Sequence, residues 1–397
     1  GGRTLASVLE RLLPVGYDSR RSRIGGFPQV LGTEPATIMA KEITTPGPGQ
    51  IRALFVSAGN PVLSAPDGEE LEAALGQLDL MVSLDLYVNE TNCHADYVLP
   101  AVTMYERDDF PLPFQQLQPT DFRQATRAVV PPAGEAREEW DVVMELAGRL
   151  WRSSPRLAAM ALARRVLDPM RVADAVVRLA EGGDRFGLRR GGLTLERLLD
   201  DEPHGRVVAP FLEAGKLRDV VAHRDRRVRL DAPEIADEVA RLERRPAADA
   251  DHPLRLIGMR ELRSENSWMH NAPLLLRGGR VHAARMHPDD AAAIGVADGA
   301  TVRLISRHDA IELPVRLTED IKPGVVAVPH GWGHRGTGGW QQANAAGGAN
   351  VNQLMSTDPS DVERLAGMAH LNGVPVRAEA VAAPPDPAPA TAAVGAA

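Results

Sequence analysis

The sequence predicts an α/β protein in which a parallel-sheet domain is followed by a compact C-terminal β-barrel. Three observations predict it. Between residues 51 and 99, apolar strand-like runs alternate with one amphipathic helical stretch, the rhythm of a βαβ unit. Between residues 254 and 376, short runs of alternating apolar and polar residues are separated by turn signals, with one short helix among them. The 397 residues are 44% hydrophobic, enough for two or three domains with cores of their own.

In chain order, residues 1–50 are rich in Gly, Pro and Arg and read mostly as loop, with a helix over Leu5–Leu13. Ile51–Ser57 reads as a strand stopped by the turn Ala58-Gly59-Asn60-Pro61. Asp67 can cap a helix that lines up Leu71, Ala74, Leu75 and Leu78 on one face. Leu80–Leu84 is the next strand and ends at Asp85; beyond the polar stretch Asn89-Glu90-Thr91, Tyr97–Leu99 is the third. Helices are expected over 135–200, where Trp140, Val143, Leu146 and Leu150 share a face and Leu157–Leu179 is rich in Ala, Leu and Val. Residues 200–251 are charged and read as a connector, and the Ala/Pro-rich residues from 383 to 397 as disordered. The expected units are thus an α/β domain over 1–135, a helical segment and connector over 136–250, a barrel over 251–381 and a tail over 382–397.

Within the barrel region, Leu254, Leu256 and Ile257 lead into the polar stretch Gly258–Asn271, which packs two arginines, three amide or imidazole side chains and a tryptophan into fourteen residues. Arginine forks and amides hold phosphates and heterocycle edges. Met286–Gly295 reads as a helix, with Pro288 at its first turn, Asp289 and Asp290 facing its positive end and Gly295 at its exit. Thr301–Ile305 and Ile311–Leu317 alternate as half-buried strands about a hairpin turn, and Lys322-Pro-Gly324 turns into the run Val325–Val328. A glycine-rich loop, His330–Gly336, and the segment Gly348–Leu354 follow.

Open parallel sheets bind ligands beyond the carboxyl ends of their strands. Gly59, Asn60 and Asp85 lie there: Gly59 lets a backbone approach a phosphate, and Asp85 can accept two hydrogen bonds from a guanine edge. Taken alone, all of them serve equally well as turn residues. No Ser/His/Asp triad, HExxH or P-loop is present, so no catalytic residue is assigned. His330 and His334 have i, i+4 spacing, but glycines at 331, 333 and 336 argue against a helix presenting them to a metal.

The phrases Ser57-Ala-Gly-Asn-Pro61, Asp85-Leu-Tyr-Val-Asn-Glu-Thr91 and His94-Ala-Asp-Tyr-Val-Leu-Pro100 with Glu106, then His287-Pro-Asp-Asp-Ala291, Gly295-Val-Ala-Asp-Gly299, Pro323-Gly-Val-Val326 and Asn350-Val-Asn-Gln-Leu354, resemble the molybdopterin oxidoreductases, the dimethyl sulfoxide reductase and formate dehydrogenase superfamily. The resemblance is close over about residues 250–380, and the α/β phrases match independently. It implies a double-psi β-barrel closing over a molybdenum bis(molybdopterin guanine dinucleotide) cofactor. It also implies that Arg263, Ser264, Asn266, His270, His330, His334, Asn350 and Asn352 line that cofactor, together with Gly59, Asn60 and Asp85. In the family, the protein ligand to molybdenum and any iron–sulfur cysteines lie upstream of the region matched. The sequence is therefore expected to be the C-terminal half of such an enzyme, and its Gly-Gly-Arg start is read the same way. Expected partners are the upstream half, a small-molecule substrate and an electron-transfer subunit. The first loop and Gly331-Trp-Gly-His334 are closer to formate-dehydrogenase-like members than to nitrate reductases. The rival expectation is a scaffold or electron-transfer subunit that keeps the fold without the cofactor.

A net charge of −8 with dispersed arginines argues against nucleic acid or an anionic membrane as the main partner. No apolar run is long enough to span a bilayer and no signal peptide is visible, so a cytoplasmic protein is expected. Cys93 is the only cysteine; it cannot form an internal disulfide or by itself hold a cluster, and it reads as a buried or half-buried small residue.

Overall fold

The computed structural model describes residues 17–111, 118, 120–150, 154, 168–209, 221, 223–243, 250–336 and 339–381. The helix expected over Leu5–Leu13, the first part of the Leu157–Leu179 stretch and the tail beyond 381 lie outside the described residues. The chain opens with an antiparallel hairpin of β1 (Tyr17–Arg21) and β2 (Pro28–Val30), followed by a helix over Met39–Thr44. Both were expected to be loop.

β3 (Ala53–Ser57), β4 (Leu80–Asp85) and β5 (Tyr97–Pro100) form the expected parallel sheet, in that order. Ala53 pairs with Leu80 and Val82 with Tyr97. The helix Gly68–Leu75 crosses between β3 and β4. Its Asp67 cap accepts from Glu70 N at 3.0 Å. Leu71, Ala74 and Leu75 bury against Met81 and Val56 of the sheet and Ala40 and Ile43 of the preceding helix.

Residues 121–209 depart from expectation in two respects. β6 (Asp121–Arg123) pairs antiparallel with β7 (Arg206–Ala209), so the stretch read as a connector contributes a strand. The helix Glu139–Arg149 forms, but Val142 and Ala147 are its buried residues, whereas Val143, Leu146 and Leu150 are exposed. Leu84 and Ala101 pack with Val142, and this contact, not the longer apolar stripe, selects the face. Helices Pro169–Leu179 and Leu195–Asp200 close a small core of Ala173, Val177, Leu198 and Leu199 around Ala125.

The C-terminal region is a closed six-stranded barrel of β8 (Leu254–Met259), β9 (Ala284–Met286), β10 (Thr301–Ile305), β11 (Ala310–Leu317), β12 (Val325–Pro329) and β13 (Asn372–Ala380), ordered β10-β11-β9-β12-β8-β13. β8 runs parallel to β12 and β9 parallel to β11; the remaining contacts are antiparallel. The alternation read in the sequence is realised as an inward face of Val302, Leu304, Ile311, Leu313, Val315, Val326 and Val328, with Leu256 and Met286 fully buried among them. Among the described residues no helix is long and apolar enough to cross a membrane. Cys93 corrects one expectation: it is exposed, its thiol donating to Glu90 O at 3.3 Å.

Two sets of parallel strand ends position the polar loops. β3 and β4 end at Ser57 and Asp85, and β8 and β12 end at Met259 and Pro329. The loops that leave them meet at the junction of sheet and barrel.

Candidate functional site

The barrel side of the junction is built from the loop after β8 and the glycine loop after β12. Gly331 has φ +87°, and a Cβ there would lie 2.0 Å from Asn266 O, so the two loops approach only because residue 331 lacks a side chain. Trp332 is buried, its ring 4.2 Å from that of His270 and 5.4 Å from that of His282. Its indole N–H donates to Glu261 Oε2 at 2.9 Å, and Arg280 Nη2 reaches the same oxygen at 2.8 Å.

Behind Trp332, Ser264, His270 and His334 are all buried and joined in sequence. His334 Nε2 lies 2.9 Å from His270 Nδ1, and His270 Nε2 lies 2.8 Å from Ser264 Oγ. Burial pushes the His270 imidazole down to about 3, with the adjacent His334 and Arg280 adding to the effect. His282, also buried, is lowered to about 4 although it bonds Pro329 O.

On the sheet side the central group is Glu90, which the sequence reading left out of the site. Its carboxylate is buried and accepts from Asn60 Nδ2 at 2.6 Å, Arg335 N at 2.7 Å and Gly336 N at 2.8 Å, with His334 Nδ1 3.4 Å away. Burial acts to raise its pKa, but the adjacent His334 imidazole and the Asn60 amide outweigh that and hold it at about 2. Asn60 is thus brought to His334, His270 and Ser264 through Glu90.

Asn350 and Asn352 also join the two sides. Asn350 Nδ2 donates to Val62 O at 3.0 Å, and Asn352 Nδ2 to Leu63 O at 2.6 Å. The second amide also lies 3.2 Å from His330 Nδ1, so His330 accepts on Nδ1 and presents Nε2–H elsewhere. Burial lowers the His330 pKa, and nearby Arg260 lowers it further.

The residues left open to a ligand are few. Arg263 is exposed and, among the described residues, makes one long hydrogen bond, from Nη1 to Arg277 O at 3.4 Å. Asn266, exposed at φ +61°, accepts from Arg260, an arginine the sequence reading did not single out. Asp85 is buried at the end of β4 and accepts from Leu86 N at 2.7 Å, from Asn89 Nδ2 at 3.1 Å and from the Tyr87 backbone N–H. Burial raises its pKa, and those donors act in the opposite direction. Two residues earlier on the strand, the Ser83 hydroxyl is buried with no partner among the described residues. Gly59 follows Ala58, itself at φ +49°, and a Cβ there would come no closer than 3.5 Å to a neighbour, Val56 Cγ1. Among the described residues no direct side-chain hydrogen bond joins Asp85 or Arg263 to His334, His270 or Ser264; Asp85 reaches Glu90 only through Asn89, Thr91 and Asn60. An exposed guanidinium on the barrel loop and, at the end of β4, a buried carboxylate with an orphaned hydroxyl beside it are groups whose chemistry fits an anionic, guanine-bearing ligand.

Two family models match the chain. Residues 7–149 match the one described as molybdopterin oxidoreductase, and residues 254–375 the one described as molydopterin dinucleotide binding domain. Over 287 residues the chain is 28% identical to the alpha subunit of an F420-dependent formate dehydrogenase of Methanocaldococcus jannaschii, covering 70% of this chain and 38% of the relative. Identity to the catalytic subunit of an assimilatory nitrate reductase of Bacillus subtilis is also 28%, over 72% of this chain and 38% of the relative. The solved structure of acetylene hydratase from Pelobacter acetylenicus superposes with a TM-score of 0.58 at 20% identity, covering 89% of this chain and 47% of that one, which is a likeness of fold. The chain therefore spans well under half the length of the curated relatives named here. With both domains matched in order and the parallel sheet and closed barrel under them, the chain belongs to the molybdopterin oxidoreductases.

Proposed function

We propose that this chain is the C-terminal half of a cytoplasmic molybdenum bis(molybdopterin guanine dinucleotide) oxidoreductase of the formate-dehydrogenase-like kind, and that it binds and orients the cofactor. The observation that carries the reading is the match to a dinucleotide-binding domain in a chain that exposes Arg263 with one long hydrogen bond and buries the Asp85 carboxylate at a parallel-strand end. When bound, the cofactor supplies two-electron redox chemistry toward a small substrate. This chain's part is to hold the guanine edge at Asp85, with Gly59 beside it. Arg263 and Asn266 meet the dinucleotide from the barrel side, with His330 at the rim. The buried set of Asn60, Ser264, His270, His334, Asn350 and Asn352 keeps sheet and barrel in register behind them. Two parallel pairs within a six-stranded barrel support the double-psi reading. The iron–sulfur cluster and the ligand to molybdenum are assigned to the upstream half, and an electron-transfer subunit to its surroundings. Equal identity to a formate dehydrogenase and a nitrate reductase leaves the preference for formate-like substrates resting on the loop phrases.

A second reading has an observation in its favour. Six of the polar side chains carried over from the family are engaged within the protein itself, as a scaffold that had lost its cofactor would also require. Asp85→Ala separates the two. In the full-length enzyme it removes a charge-assisted pair worth roughly 1.5–3 kcal/mol, so molybdenum and guanine nucleotide per subunit should fall. Unchanged content would count against Asp85 as the guanine site.

Arg263→Ala makes a complementary test. Because a ligand stabilises only the state it binds, the substitution should shrink the difference between cofactor-loaded and cofactor-free melts and leave the cofactor-free melt nearly unchanged. An equal drop in both would make Arg263 structural, although an exposed arginine with one long bond contributes at most about 1 kcal/mol in that way.

A further inference from the structure

A line of hydrogen bonds crosses the junction with one donor sense along its whole length. Trp340 Nε1 lies 2.8 Å from His334 Nδ1, and an indole can only donate. His334 therefore carries its hydrogen on Nε2, pointing at His270 Nδ1. His270 accepts there, so its own hydrogen is on Nε2 and points at Ser264 Oγ. Arg280 Nη2 donates to the same hydroxyl at 2.8 Å, leaving the serine hydrogen for Glu261 Oε2 at 3.3 Å.

At the inner end, His334 Nδ1 faces two groups of opposite character. One is the Trp340 donor; the other is Glu90 Oε1, an ionised acceptor 3.4 Å away. Among the described residues Glu90 has no arginine or lysine partner; its donors are an amide and two backbone N–H groups. With a neutral imidazole, lone pairs face each other at that contact. A proton on Nδ1 converts it into an ion pair and releases the indole. Ser264, His270, His334 and Glu90 are buried, so bulk water does not compete along the line. At the outer end the Glu261 side chain is 24% exposed. Burial acts to raise its pKa, but Trp332 and Arg280 bring it below the ordinary value, so a proton delivered there leaves readily to solvent.

We propose that His334, His270 and Ser264, set between Glu90 and Glu261, are a relay that carries one proton between the strand-end crevice beside Asn60 and the outer face of the barrel. A proton binds His334 Nδ1. The His334 Nε2–H bond breaks as that hydrogen passes to His270 Nδ1, the His270 Nε2 hydrogen passes to Ser264 Oγ, and the original serine hydrogen passes to the Glu261 carboxylate. One proton enters and one leaves, no electron moves, and both imidazoles end neutral in the opposite tautomer. The need for such a path rests on the redox function proposed above, whose substrate chemistry exchanges protons. The geometry itself does not depend on that function.

The test has two arms. In the intact protein labelled with [15N]histidine, signals assigned through His270→Gln and His334→Gln should show Nε2–H tautomers at neutral pH; an Nδ1–H tautomer at either position overturns the relay. In the cofactor-loaded enzyme, Ser264→Ala should lower kcat about a hundredfold with little change in KM and enlarge the solvent deuterium isotope effect, while Ser264→Thr restores both. A Ser264→Ala enzyme that retains its cofactor, its kcat and its isotope effect overturns the proposal. A protein that never loads molybdopterin counts against the functional reading alone, and the tautomers then decide the relay.

Discussion

Replacing Glu90 by alanine should destabilise the protein by about 3–5 kcal/mol, the range for removing one partner of a buried charged network. The substitution strands three donors at once, Asn60 Nδ2, Arg335 N and Gly336 N, in a place where the carboxylate they serve is almost wholly inaccessible. Denaturant unfolding of the variant against the parent measures the loss, and a difference below about 1 kcal/mol would mean that water replaces the carboxylate easily. The acid limb gives an independent check. Glu90 is held at about 2, below its ordinary 4.5, so its contribution is present above pH 4.5 and is lost as pH falls toward 2. Linkage makes that about 3 kcal/mol in the parent, absent from Glu90→Ala. His270 acts earlier. Held neutral down to about 3 instead of 6.5, it lets the unfolded chain take up a proton that the folded one refuses, so stability falls from pH 6.5 toward 3. Stability that stays level between pH 6.5 and 5 would contradict a neutral, buried His270.

Most of the barrel was legible because its strands are half-buried: β8, β10, β11 and β12 show an inward apolar set at every second residue or a short apolar run after a turn. The helix Gly68–Leu75 was legible for the same kind of local reason, a capping aspartate and a 3.6-residue stripe. β9 was not. Its three residues carry no periodicity of their own and are extended only because β11 and β12 flank them. β6 and β7 fail similarly, since the partner that makes each a strand lies more than eighty positions away.

The site divides along the same line. Ser264, His270 and His334 stood out by residue type, which is local information. Glu90 did not, because its donors are 30 and 245 residues distant and nothing around it in sequence separates it from a solvated loop glutamate. The only local hint is the polar run Asn89–Asn92, whose amides close a turn on each other (Asn89 N donates to Asn92 Oδ1 at 2.7 Å) and bury the carboxylate between them. Asn350 and Asn352 show what residue type leaves out. Amides in a motif suggest a ligand, yet here their N–H groups bridge to the carbonyls of Val62 and Leu63.

Gly331→Ala is expected to cost about 2–5 kcal/mol, and a neighbouring glycine provides the control. At φ +87° any side chain is strained, and an added Cβ would meet Asn266 O at 2.0 Å and Asn266 C at 2.6 Å, both backbone atoms with no rotamer to escape by. Either the loop after β12 lifts or the segment 264–267 moves, and both carry members of the buried histidine line. Gly347 has a similar φ of +66° with nothing within 4 Å, so Gly347→Ala feels the backbone strain alone, about 1–2 kcal/mol. The difference between the two variants in denaturant unfolding isolates the contact between the loops. Equal losses would mean that the glycine loop is not pressed against Asn266 in solution. If the loops also hold the dinucleotide, Gly331→Ala should reduce cofactor retention in the full-length enzyme while Gly347→Ala preserves it, because only the first displaces the backbone that carries Asn266 and His330.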